Sequence, residues 1–143
     1  MKYNFAEAFE FVISWEKWKS KDWAGLTIWG ITHKWHPIEV KEMSIMNEVD
    51  SKEIAKKVYK EEYWDKCNCD TLEEPLDIIC FDTAVNMGVG TAKQFLKKSK
   101  DENEFLLYRI ERYAKLANSK KQYRNVFLGW VNRSIDLWNQ IKE

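Results

Sequence analysis

The chain has 143 residues, 45% hydrophobic and 32% charged, a balance that suits one globular domain with a buried core and excludes a disordered segment. Its 23 basic residues equal its 23 acidic ones, so no bulk positive field draws it to nucleic acid, and no nucleic-acid partner is expected. No apolar run reaches the roughly 18 residues of a membrane span, so stable membrane insertion is not expected either.

The N-terminal stretch MKYNFAEAFEFVIS carries Glu7 and Glu10 inside its apolar run. That is unlike a secretion signal and predicts a protein made in the cytoplasm without one. Asn4 is the expected N-cap of a first helix, with Phe5, Ala8, Phe9, Val12 and Ile13 recurring at helical spacing. Continuing that count at about 100° per residue brings Glu16 to within about 20° of Phe5, on the core face.

From Lys17 to Trp35 the periodicity fails, and AGLTIWGIT mixes glycine with β-branched and aromatic residues, the pattern of a loop followed by a short strand or hairpin. Ser51 to Lys66 reads as a helix capped by Asp50 or Ser51, with Ile54, Ala55, Val58, Tyr59 and Tyr63 on one face. Glu74 to Gly88 reads as the most buried helix, opened by Pro75 and stopped by Gly88. Three more helices are expected, at about 91–98, 104–117 and 122–141. The fold class is mainly α, a single domain over 1–143 with a short β excursion after the first helix. Cys67, Cys69 and Cys80 are an odd set with none of the usual zinc-ligand spacings, so reduced thiols and no metal or organic cofactor are expected.

Glu16 is the first candidate for chemistry. A carboxyl on an apolar face resists ionisation, and the protonated state that results is the one a general acid needs to protonate a glycosidic oxygen. The plainer reading makes Glu16 a half-exposed helix end paired with Lys17 or Lys19. Asp22 supplies a second carboxylate for a base, nucleophile or electrostatic role, and Thr27 a hydroxyl that positions water. Alternatively they are a turn residue and a strand residue.

Several separate stretches, FAEAFEFVISWE, DWAGLTIWGIT, EIAKKVYKEEYWDK, FDTAVNMGVGTAKQFL and FLGWVNR, together resemble the muramidases of glycoside hydrolase family 108. The resemblance runs from about Phe5 to Trp138 and implies a lysozyme-like helical fold, with residues 1–72 holding the catalytic helix and 73–143 a helical half similar to a peptidoglycan-binding region. It implies hydrolysis of the β-1,4 bond between N-acetylmuramic acid and N-acetylglucosamine, with Glu16 as acid and Asp22 and Thr27 as its partners. It also implies a phage or prophage endolysin, acting on peptidoglycan strands as a monomer and released through a holin-type pore.

Trp29 stands at the family's aromatic position before Gly30-Ile31-Thr32, and Asp82 and Asn86 match its Phe-Asp-x-Ala-Val-Asn segment. Asp82 and Asn86 share a helix face, as cleft wall or as a buried polar network. Trp130, Asn132 and Arg133 match a C-terminal segment, and Asn132 and Arg133 are expected to make structural hydrogen bonds. Five tryptophans fall between Trp15 and Trp35; indole stacks on the C–H faces of sugars, and Trp18 and Trp29 are the expected substrate contacts. The chain departs from the family in Lys17-Trp18, where the pattern has Gly-Gly, and in a shorter segment between Glu16 and Asp22. Those departures motivate the alternative of a catalytically inactive peptidoglycan-binding or lysis-regulating protein on the same fold.

Overall fold

The computed structural model of the chain describes residues 4–142. Helix α1, Phe5–Ile13, opens on the Asn4 side chain, which accepts the Glu7 N–H at 2.9 Å, and buries Ala8, Phe9, Val12 and Ile13. It stops three residues before Glu16. The Trp15 and Glu16 N–H groups bond the carbonyls of Val12 and Ile13, a tightened last turn that keeps Glu16 on the core side without extending the α-helix.

The excursion that follows is a three-stranded antiparallel sheet, β1 Lys19–Asp22, β2 Gly25–Ile28 and β3 Ile31–Thr32, in the order β1-β2-β3. Lys19–Asp22 is therefore strand where the sequence suggested loop, because its backbone pairs with β2 although all four side chains are exposed. Trp29 and Gly30 form the two-residue β2–β3 turn, both with positive φ (52° and 79°), as a turn matching strand twist requires.

Helix α2, Pro37–Ser44, begins on Pro37 in its first turn; no element was expected there. Helix α3, Glu48–Tyr59, is capped by Asn47, whose side chain accepts the Asp50 N–H at 2.8 Å. The cap is thus upstream of Asp50 and Ser51, which leaves Ser51 inside the helix and fully buried. The same helix runs on as a π-helical turn, Lys60–Trp64.

Helix α4, Leu76–Met87, is the buried centre of the fold: every residue from Asp77 to Ala84 is buried, and Gly88 ends it at φ 99°. Its apolar run has no polar face because other elements cover it on all sides, α1, α5, α6 and the π-helical turn among them. Helices α5 (Val89–Lys98), α6 (Glu102–Ser119, capped by Asp101) and α7 (Lys121–Ile141) complete a mainly helical chain. No described helix is long and apolar enough to cross a membrane.

Aromatic rings fill the join between α1, α3 and α4. Phe81 is fully buried, with its centroid 5.4 Å from Trp64, 5.7 Å from Phe5 and 6.5 Å from Tyr59, all in edge-on geometry. Cutting it back leaves a cavity that rigid neighbours cannot collapse into. Phe81→Ala is expected to lose about 3–5 kcal/mol of folding stability, measured by urea denaturation.

Candidate active site

Glu16 lies where the tightened turn after α1 meets the β2–β3 turn. Its carboxyl rests directly on Gly30: a Cβ at that position would come within 2.8 Å of Glu16 Oε2 and 2.6 Å of the Tyr59 hydroxyl. Only glycine meets both demands there, the close approach and the positive φ. Tyr59, from α3, donates its hydroxyl to the Trp29 carbonyl at 2.6 Å and so pins the turn that forms the floor under the acid.

Behind Glu16 is a chain of buried charge. Arg133 on α7 places Nη1 at 3.6 Å from Glu16 Oε1, while its Nε and Nη2 donate to Asp82 Oδ1 at 3.0 and 2.7 Å. Asp82, on α4, is fully buried, and its other oxygen lies 2.6 Å from Nη1 of the equally buried Arg109 on α6. Arg109 also donates to Thr83 and to Tyr113, and the Tyr113 hydroxyl donates a short hydrogen bond to Asn86.

These neighbours pull on the Glu16 proton in opposite directions. Burial pushes its pKa up, Arg133 draws it down by charge and hydrogen bond, and Asp82 adds a push upward; the net result is raised. For Asp82 burial works upward as well, yet the two guanidiniums outweigh it and hold its pKa below the ordinary aspartate range. Asp82 is thus the ionised member and Glu16 the one inclined to keep its proton.

Beside Gly30 and Tyr59 opens a cleft of about 370 Å³, continued by Thr32, Trp35, His36, Glu62 and Tyr63. Strand register places two further expected residues relative to it. Thr27 pairs with Ser20 on one side and Thr32 on the other, and Asp22 lies two residues along β1 from Ser20. Cross-strand partners and alternate residues share a face, so Asp22 and Thr27 lie on the face that carries Thr32, opposite the core-facing Ile28 and Ile31. Asp22 is exposed at the hairpin end, where its carboxylate accepts the Ala24 N–H at 2.8 Å. Among the described residues, no hydrogen bond or ion pair joins Asp22 or Thr27 to Glu16.

The remaining expectations are relocated. Trp29 is only 7% exposed, and both it and the half-buried Trp18 donate their indole N–H to Ser51, at 3.0 and 3.1 Å. They clamp the sheet to α3, and Trp29 is nearly closed to solvent. Asp82 is behind the site and not on the cleft wall, because burial is complete and its oxygens are taken by arginine; Asn86 is held by Tyr113 in the same network. Arg133 does make the structural bonds expected of it, but it also reaches the candidate acid. That contact and the part of Arg109 were missed. A signal existed for Arg109: it stands between Phe105 and Tyr113 at four-residue spacing, a charge in the middle of an apolar stripe. Cys67, Cys69 and Cys80 are free and buried.

A carboxyl with a raised pKa resting against the cleft residue Gly30 suits the protonation of a leaving sugar oxygen, and the family comparison makes the chain a glycoside hydrolase. Residues 9–88 match the family model described as Glycosyl hydrolase 108, more than half of the chain, and the chain belongs to that family. No curated protein and no solved structure gives a significant match. The matched segment contains Glu16, Asp22, Thr27 and Asp82, while Arg109 and Arg133 come from the helices beyond it.

The raised Glu16 pKa also bears on stability. A group whose folded-state pKa is raised favours folding below its unfolded pKa, and that contribution disappears as pH climbs through the folded value. Glu16→Gln keeps the shape and removes the titration. The variant is therefore expected to melt above the parent at pH 7, with the gap shrinking towards pH 4, as read by thermal unfolding at the two pH values.

Proposed function

We propose that the chain is a muramidase: it hydrolyses the β-1,4 bond between N-acetylmuramic acid and N-acetylglucosamine in peptidoglycan strands, as a phage or prophage endolysin. The observation that carries this reading is Glu16, a carboxyl whose burial raises its pKa against the pull of Arg133, and which rests against Gly30, a residue of the cleft lining. The choice of bond rests on the resemblance of the motifs around it.

In this mechanism Glu16 gives its proton to the bridging oxygen as the C–O bond breaks and positive charge builds on the departing sugar ring. The newly formed carboxylate faces Arg133, so the charge created at Glu16 has a counter-ion waiting 3.6 Å away. Asp22, with Thr27 on the same face of the sheet, stabilises the ring cation or orients the attacking water. Water then completes the sugar, and Glu16 recovers its proton. A carboxyl separation of ~5–5.5 Å would give retention and ~6.5–9.5 Å inversion. Synthesis in the cytoplasm, release through a holin-type pore and action as a monomer complete the proposal.

A second reading, a glycan-binding protein without turnover, is favoured by one observation: the Asp22 carboxylate is engaged in its own turn. Activity of three variants separates the two. The parent is expected to release muropeptides with N-acetylmuramic acid at the reducing end, identified by mass spectrometry, and Glu16→Gln to release none while folding normally. Asp22→Asn is expected to lower the rate by about 100-fold or more, the scale of a lost catalytic carboxylate. Release by Glu16→Gln at the parental rate contradicts the mechanism; a parent that binds peptidoglycan but releases nothing supports the second reading.

A further inference from the structure

We infer that Trp35, together with Tyr63 across the same cleft, forms a binding subsite for an N-acetylhexosamine ring of the glycan strand. The inference deepens the proposed glycan hydrolysis and rests on it.

Four of the eight tryptophans are held by their indole N–H groups. Trp15, Trp18, Trp29 and Trp64 each donate their N–H to a side-chain oxygen, of Asp136, Ser51, Ser51 and Asp70. Trp35, like Trp23, Trp130 and Trp138, makes no such bond to a described residue; it is 73% exposed, and among the described tryptophans it alone lines the cleft at Gly30 and Tyr59. Leaving so large an apolar face in water forgoes burial that a stacked ligand can recover.

Its placement is built into the backbone. The N–H groups of Trp35 and His36 both bond the Thr32 carbonyl, at 3.3 and 3.0 Å, a tight turn leading from β3 straight into the Pro37 start of α2. The position is thus set by a short turn between two regular elements and does not depend on a long loop. Lys34 lies over the ring, its Nζ 5.2 Å from the centroid, and Trp35 keeps 73% of its surface in solvent.

What surrounds the ring suits a sugar better than a purely apolar ligand. Thr32 and His36 adjoin Trp35, and Glu62 and Tyr63 come from the π-helical turn on the other side. Hydroxyl, imidazole, carboxylate and phenol can each bond the hydroxyls or the acetamido group of a hexosamine, while indole and phenol rings meet its C–H faces. A π-helical turn is rare and frequent at functional sites. The cleft volume of about 370 Å³ lies within the range of small-ligand sites, and its other end is Gly30 and Tyr59, the floor under Glu16. A ring seated on Trp35 therefore lies in the cleft that ends at the two residues against which Glu16 rests.

The test uses the full chain carrying Glu16→Gln, which binds without turnover, and tri-N-acetylchitotriose as probe, with affinity read by calorimetry. Adding Trp35→Ala is expected to weaken binding at least tenfold, and Trp35→Phe, which keeps a stacking face, to restore it to within about threefold. Trp138→Ala, an indole of the α6–α7 groove outside the cleft, is expected to change nothing. In the active parent, Trp35→Ala should raise KM for soluble glycan strands at least as much as it lowers kcat. Binding by the Trp35→Ala variant within twofold of its background overturns the subsite, as does absence of any chitotriose binding by a Glu16→Gln protein whose parent cleaves glycan. Failure of the hydrolytic reading shows itself separately, as undiminished cleavage by Glu16→Gln alone.

Discussion

The structure turns on one buried carboxylate held between two guanidiniums. Asp82 is fully buried on the central helix, with Arg109 from α6 and Arg133 from α7 on its two oxygens. Such a cluster tolerates no missing member: leaving a buried charge unpaired costs about 3–5 kcal/mol. It therefore fixes how α6 and α7 sit against α4, and so where Arg133 delivers its remaining N–H groups. They arrive at Glu16, on the far side of the sequence.

Counting charge across this cluster explains why the acid is poised and not locked. Behind Glu16 stand two cations and one anion. With Glu16 protonated the group carries one net positive charge; with Glu16 ionised it is balanced. Burial opposes ionisation strongly enough to raise the pKa, yet the conjugate base formed after proton transfer completes a neutral set. A general acid needs both properties, a proton retained in the ground state and a stabilised base afterwards. The sheet adds the geometry: the Trp29-Gly30 turn, pinned by Tyr59 and by two indoles on Ser51, gives the carboxyl a floor that no side chain larger than hydrogen would allow.

Much of this was legible in the sequence where the cause is local. The α4 run between Pro75 and Gly88, the Asn4 cap and the core-side position of Glu16 all follow from spacing and turn chemistry, and the last survives even though the α-helix ends at Ile13. What depends on distant partners was not legible. Ser51 looks like a cap until two indoles from the sheet are seen to share it, and the true cap is Asn47. Aromatic residues alone could not tell which tryptophans face water: Trp29 lies inside the fold and Trp35 outside. The contact between Arg133 and Glu16 spans nearly the whole chain, and no spacing rule reaches that far. Arg109 alone left a trace, as a charge within an apolar stripe.

The central claim, that burial raises the Glu16 pKa against the pull of Arg133, is tested most directly by following the Glu16 side-chain carboxyl carbon through a pH titration by nuclear magnetic resonance, with Glu16→Gln identifying the signal. The account predicts a midpoint above the ordinary glutamate range. A midpoint at or below that range would mean that Arg133 outweighs burial and Asp82, and would contradict it.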